Sequence, residues 1–409
     1  MSRTPAAPAQ PRVPFDRRLG QAVQKVTAQA LGPYQTAIVR IGFSFTWLLF
    51  LLREWPHRQE LYGPDGPWSW EMGRRLIADN HSFSALMWSD GRLWFEIVYG
   101  LALLSAVLLL LGWHTRAVSV VFMAGVLSLQ NRSIFMGDGG DNVVHIMALY
   151  LVLTRCGQVW SLDARRAARR AESGAEAGPG SGPARDLVGP LLWTVLGGLL
   201  MATTYFSGLT GEWWLVVLLW VLWLGHGLWW LVCRYAPGEP RTLLDVIANL
   251  THNTTLVVIM AEVCLIYATA GWYKVQGSRW QDGTALYYPL RLDYFSPWPA
   301  LSDLLGSSGV MVLLLTYGTV IVQVAFPFTL FNRKVKNVLL AAMMLEHAGI
   351  AVLLGLPVFS LAMISADAIF LPTAFLLWLG ARAARGRDRL LRRKPEEAVP
   401  EPRPRTLVG

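Results

Sequence analysis

Charge is scarce in this chain. Only 15% of its 409 residues are Asp, Glu, Lys or Arg, where soluble chains carry about 25%. That deficit excludes an ordinary soluble enzyme. Lysine is scarcer still, with residues only at 25, 274, 334, 336 and 394. The three cysteines, Cys156, Cys233 and Cys264, form no CxxC and have no histidine at ligand spacing. A disulfide-stapled module is therefore excluded and no metal-ligand set is indicated; the three read as small buried apolar residues. Residues 1–35 lack an apolar core, so no cleavable signal peptide is expected and the first apolar run serves as the targeting signal. HExxH, GxSxG and a Walker loop are all missing, and the Gly-rich stretch 178–182 is followed by no Lys-Ser/Thr pair. His226 and His252 have no partner at ligand spacing.

What is abundant is apolar surface. Hydrophobic residues make up 54% of the chain, 19 of them Trp, and mean hydropathy is +0.38, which excludes a disordered chain. Crossing about 30 Å of hydrocarbon takes roughly 20 apolar residues. Ten runs qualify or nearly so, at 36–52, 95–113, 117–130, 143–155, 187–207, 213–233, 254–273, 308–331, 337–356 and 359–380. The third and fourth are short, and eight spans with 117–155 as a shallow pair is the alternative. The expected fold is an all-α polytopic membrane bundle of about ten transmembrane helices.

Orientation follows from the basic residues. With the N-terminus inside, 26 of the 36 Lys and Arg fall on inside segments, 9 fall outside, and Arg40 lies within the first span. Both termini are therefore expected in the cytoplasm, and the net charge of +9 reflects membrane topology rather than nucleic-acid binding. The chain divides into a Pro/Arg-rich segment 1–35, a transmembrane domain 36–380 interrupted by a low-complexity cytoplasmic linker 165–186, and a basic tail 381–409 read as disordered near anionic lipid. No repeat relates the two halves. Two outside segments, 53–94 and 275–307, are rich in Trp and Tyr, as an interfacial belt or a lid over an outward-facing pocket would be.

Ionisable groups within hydrocarbon cost on the order of 3 kcal/mol or more, so each is a functional candidate. These are Arg40, His145, Glu262, Lys274, Glu346, His347 and Asp367. Arg40 lies about one turn from the inner surface and is expected to snorkel. Lys274 is the one lysine not on the inside. Ala270 and Gly271 precede it by one turn, so a second helix can approach and strip water from the amine, which favours the neutral form that acts as a base. A lysine snorkelling at the outer interface is the other reading. His145 opens the fourth run after Met136-Gly137-Asp138-Gly139-Gly140-Asp141-Asn142, where Asp141 or Asn142 is expected to cap the helix and Asp141, at i−4, to orient the imidazole; a histidine satisfied in the core is the alternative. The DGGDN run is not a calcium loop, since the twelfth position from Asp138 is Leu149. Glu346 and His347 are adjacent and point about 100° apart, so one is expected to bind a neighbouring helix, with Asp367 a candidate partner for either. Glu262 stands roughly 18 Å along the helix from Lys274 and cannot pair with it. His145 and Lys274 both fall at outer helix ends, so one cavity open to the outside is expected to hold them with His347.

These residues carry a resemblance. Ala270-Gly271-Trp272-Tyr273-Lys274 followed by Trp280-Gln281-Asp282-Gly283 resembles a segment of vitamin K-dependent gamma-carboxylases and of the wider HTTM (horizontally transferred transmembrane) superfamily. The likeness extends to Arg40-Ile41-Gly42, to His145 followed by Trp160-Ser161-Leu162-Asp163, and to His347 with Phe359 and Met363. It implies Lys274 as the base that deprotonates a reduced lipid quinone (menaquinol-like), with His145 stabilising the developing anion and His347 in the same site, in an enzyme of quinol- and oxygen-dependent carboxylase or epoxidase type. Departures are equally specific. Tyr273 stands where the carboxylases have a second lysine, and the tenth run leads into an inside tail rather than their large extracytoplasmic part, so processive protein carboxylation is not expected. In length and plan the chain is similar to bacterial proteins of the sporulation-delaying protein B type. The resemblance thus also implies a second function, a non-catalytic plasma-membrane factor that matures or exports a secreted peptide with an accessory protein. A secondary transporter using Glu262, Glu346 and Asp367 is a third.

Overall fold

The computed structural model describes residues 15–80, 82–133, 135–176, 188–205, 213–236 and 238–390. Among them the chain is helical throughout, with no strand. The principal helices are α1 (Phe15–Ala28), α2 (Pro33–Glu54), α3 (Arg92–Leu111), α4 (Thr115–Arg132), α5 (Gly139–Leu153), α6 (Leu162–Glu176), α7 (Val188–Tyr205), α8 (Trp213–Tyr235), α9 (Glu239–Gln276), α10 (Gly309–Ala325), α11 (Arg333–Leu353), α12 (Pro357–Asp367) and α13 (Thr373–Leu390). Six helices are long and apolar enough to cross a membrane, and a seventh is reached if the broken pair Pro357–Phe370 and Thr373–Leu390 counts as one span. The chain is a multi-pass membrane protein by this criterion. Gly139–Leu153 and Val188–Ala202 are apolar but shorter.

Compact packing separates the chain into Met1–Phe370 and Leu371–Gly409. In the first unit α2 packs on α3 and α12, α3 on α4, α4 on α5, and α5 back on α12. Small residues permit the close crossings. A side chain at Gly42 would overlap Ser365 of α12, and one at Gly125 would meet Ala102 of α3. Among the largest fully buried side chains are Trp47, Tyr99, Tyr267, Phe43 and two arginines, Arg40 and Arg132. In the second unit Phe375 stacks on Trp378 and Arg382 lies over that indole.

Several expectations from the sequence need correction. The run 359–380 is not one helix: α12 ends at Asp367 and α13 begins at Thr373. Pro372 has no N–H to donate and disfavours helical geometry at Leu371, so the helix stops there. The seventh span is longer than read. No proline lies between Pro240 at its start and Gly277 at its end, and α9 runs 38 residues, about 57 Å, well beyond one bilayer core. Residues 165–176 of the linker are helical, and 177–186 lie outside the described residues, as do 1–14 and 391–409. Residues 15–28 of the N-terminal segment form a helix that packs on α9. There Asn253 accepts from Leu31 N (2.8 Å) and donates to Val26 O (2.8 Å) and Gln29 O (3.0 Å). Asn249 donates to Thr27 O at 2.9 Å. His252 is assigned a single tautomer by its neighbours: Nδ1 accepts from Arg155 N at 2.9 Å, so Nε2–H donates to Leu31 O at 2.8 Å.

Arg40 does not snorkel. It is 0% exposed; Nη1 donates to Leu109 O at 2.9 Å and Nη2 to Trp160 O at 2.7 Å. The guanidinium gives a second donor to the Leu109 carbonyl at the C-terminus of α3, which also accepts from Gly112 N at 3.0 Å. Gly112, at φ 70°, makes room for it, because a side chain there would overlap Arg40 and Ser161. Asp163 completes the corner by accepting from His114 N (2.9 Å) and Thr115 N (2.8 Å) at the start of α4.

Candidate functional site

Lys274 lies two residues before the end of α9, whose C-terminal half packs on α10. Gly271, one turn earlier, is what lets α10 come close: a Cβ there would sit 2.5 Å from Val324. The approach brings Gln323 of α10 to the amine. Lys274 Nζ donates to Gln323 Oε1 at 2.6 Å, and Gln323 Nε2 donates to Glu346 Oε1 of α11, also at 2.6 Å. Only this orientation of the carboxamide presents an acceptor to the ammonium and a donor to the carboxylate, so the two charged groups set the amide's direction. Gln323 is buried while Lys274 and Glu346 are half-buried. Lys274 Nζ also stands 5.3 Å from the centre of the Trp280 ring, a cation–π contact.

Two turns earlier on α9, roughly 10 Å away, a second polar cluster is fully enclosed. The Tyr267 hydroxyl donates to Asp367 Oδ1 at 2.9 Å and lies 3.0 Å from His347 Nε2. One hydroxyl carries one proton, so with Asp367 as its acceptor Nε2–H of His347 is the donor to the tyrosine oxygen. His347 Nδ1 and Asp367 Oδ2 are buried with no hydrogen-bond partner. Glu346 and His347 thus serve two different clusters, each reaching a neighbouring helix, and Asp367 joins His347 through Tyr267 rather than directly.

His145 belongs elsewhere. Its Nδ1 lies 3.0 Å from Gln130 Oε1 of α4. Gln130 Nε2 donates to Asp141 O at 2.9 Å, which points Oε1 at the imidazole and makes Nδ1–H the donor. Asp141 therefore does not orient the ring. Nor does it provide the N-cap: Asp138 does, accepting from Gly140 N at 2.6 Å and from Asp141 N, while Asp141 Oδ2 accepts from Asp138 N at 2.7 Å in a reciprocal capping box. Among the described residues no hydrogen bond, ion pair or ring contact joins His145 to Lys274 or His347. Phe359 packs on Gly139 and Gly140 at the start of α5 and lies 5.6 Å from the His347 ring. Glu262 makes no hydrogen bond or ion pair among the described residues, and Glu346 and Asp367 have different hydrogen-bond partners.

Gln323, Tyr267 and Gln130 carry no charge and do not stand out in the sequence as the charged groups do. The available signal was a carboxamide or phenol inside an apolar run, where each unpaired polar group costs several kcal/mol and so needs a partner. Arg132 was missed too; it is 1% exposed and donates to Gly63 O (3.0 Å) and Trp68 O (2.8 Å), pinning the aromatic segment before α3.

Comparison with protein-family models, with curated proteins and with solved structures finds no match to this chain.

Proposed function

We propose that the chain is a multi-pass protein of the bacterial plasma membrane that performs base chemistry at Lys274 on a lipophilic substrate, as its resemblance to HTTM proteins implies. In this reading the helices cross about ten times with both termini inside, and Lys274 faces the extracytoplasmic side. One observation carries it: Lys274 Nζ is held by a neutral carboxamide, with its countercharge, Glu346, one residue further away. A lysine serving only as an ion-pair partner would bond the carboxylate directly. Interposed, Gln323 keeps the amine aimed and leaves its proton unclaimed by a carboxylate.

A reduced lipid quinone fits this donor set. In its neutral form the amine accepts an acidic hydroxyl proton while still donating to Gln323, and the Trp280 indole offers a flat apolar surface beside it. When bound, such a group supplies a weakly acidic hydroxyl and reducing equivalents. The rest is done by the chain. Lys274 takes or holds a proton at Nζ, Gln323 orients the amine, and Glu346 balances the charge that results. His347 and Tyr267 act from the enclosed cluster behind, and His145 from the α4–α5 pair.

The test is amine-selective labelling of Lys274 in the purified full chain, read by mass spectrometry with and without menaquinol. Protection by the quinol is expected, together with loss of quinol binding in K274A. Labelling indifferent to quinol, with K274A restoring a deletion strain as well as wild type, overturns the proposal. That outcome favours the non-catalytic maturation or export factor, for which the exposed Tyr294 and Trp298 are candidate partner contacts.

A further inference from the structure

A separate cavity lies between the α7–α8 pair and the rest of the first unit. α7 and α8 are locked to each other. The Trp193 and Trp223 rings stack at 4.2 Å, and each indole N–H donates to the other residue's carbonyl at 2.9 Å. Yet none of the apolar window Val216–Tyr235 of α8 is buried. Between this face and α4 is a cleft of ≈460 Å³ whose walls are overwhelmingly apolar, among them Val121, Ala124, Leu196, Leu219 and Trp223. Its lining on α4 extends from Arg116 to Ser128, about 18 Å, slightly more than the half-thickness of a bilayer's hydrocarbon core.

One end of the cleft is not apolar. Arg116, Arg155, His226 and Trp229 line it, and the same four residues line a second cavity of ≈610 Å³ that also holds Arg166, Arg170 and Asp163. The two cavities therefore adjoin across these residues. Arg155 is committed to Asn249 (2.6 Å) and Asp245 (3.2 Å), and Arg166 to Asp163 (2.8 Å). Arg116 is different. Its guanidinium lies 4.5 Å from the centre of the Trp229 ring and has no hydrogen bond or ion pair among the described residues. Arg116 is exposed, so at the mouth of the apolar cleft its guanidinium is open to an anion, and an anion attached to an apolar chain pairs with the charge and fills the void.

We propose that this cleft binds one anionic phospholipid, with its phosphate on Arg116 where the two cavities meet and one acyl chain along the apolar wall. The shape sorts the ligand by chemistry. Guanidinium forks match phosphate oxygens, basic pockets between transmembrane helices hold anionic headgroups, and the length matches one leaflet. By the distribution of basic residues the headgroup end faces the cytoplasm, opposite Lys274, so this site is independent of the proposed base chemistry.

Native mass spectrometry of the full chain, titrated with phosphatidylglycerol, with phosphatidylcholine of the same acyl chains, or with inorganic phosphate, tests it. Wild type is expected to retain one phosphatidylglycerol at an affinity about ten-fold above phosphatidylcholine, whose phosphate is the same but whose choline cation meets the basic lining of Arg155, Arg166 and Arg170. R116A should erase that preference, R116K should keep part of it, and A124W, which fills the cleft, should reduce binding of both lipids. If R116A does not fold, R116K and A124W carry the test. Equal binding of the two lipids by wild type, or an undiminished preference in R116A, overturns the proposal. Displacement of phosphatidylglycerol by millimolar phosphate, with A124W without effect, shows a free-anion site instead and also overturns it.

Discussion

Interchanging the two acceptors beside Lys274 puts the bridging role of Gln323 to a quantitative test. In Q323E a carboxylate stands where the carboxamide stood, hydrogen-bonded to Lys274 but abutting Glu346. At about 4 Å two like charges repel by about 4 kcal/mol at an effective dielectric of 20, and the new attraction to Lys274 offsets a similar amount. What is not offset is the lost donor to Glu346, a hydrogen bond to a charged group worth about 1.5–3 kcal/mol. Because Glu346 and Lys274 are half-buried, the lower figure applies. E346Q costs about as much, since Gln323 then donates to a neutral amide and Lys274 loses its countercharge. The double variant Q323E/E346Q restores the pattern in reverse order: Lys274 donates to Glu at 323, which accepts from Gln at 346. Its cost is near zero. The coupling is therefore about 3 kcal/mol, at the top of the range for contacting residues. Reversible unfolding in mixed detergent, with all four proteins under one condition, measures it. Additive costs, with coupling under about 0.5 kcal/mol, would refute the bridge and with it the reason for reading Lys274 as a base rather than an interface lysine.

Three further outcomes follow from the geometry. Y267F removes the hydroxyl that joins His347 to Asp367, leaving two more buried polar atoms unpaired; a loss of about 2–4 kcal/mol is expected, and an unchanged thermal midpoint in detergent would contradict it. G112A forces a side chain onto a left-handed residue and against the Arg40 guanidinium. It should cost at least about 1 kcal/mol for the backbone alone and should leave G100A, where the space is open, far more stable in a parallel melt. N253A removes three hydrogen bonds to residues 26–31 and should release α1 from α9; hydrogen exchange across 15–31 should rise well above wild type while exchange in α3 and α4 stays unchanged.

Membrane character was readable from the chain because transfer into hydrocarbon is additive along a sequence: a run of apolar residues is costly to expose wherever it lies. The six long apolar helices correspond to expected runs for that reason, and Lys274 attracted notice because a lone lysine in such a run needs explaining. Boundaries were less legible. Pro372 divides the last run because one missing N–H outweighs the apolar residues around it, while nothing in 234–253 marks the end of an apolar stretch as anything but the end of a helix, though α9 continues through it. The candidate site was legible only in its charged members. Lys274, Glu346, His347 and Asp367 were named as suspects, but their partners Gln323 and Tyr267 are neutral residues inside apolar runs. Asp141 or Asn142 was expected at the N-cap, and Asp141 at His145 on the strength of its i−4 spacing, whereas Asp138 reached the N-cap position and Gln130, from another helix, reached the ring. Arg40 was placed at the inner surface by its distance along the helix, and only the approach of α3 and of Trp160 shows that two carbonyls enclose it. The sequence by itself determined which segments leave water, because that depends on composition over one helix length. Tertiary structure decided which polar groups meet inside, because pairing depends on how helices far apart in the chain cross, to within a few tenths of an ångström.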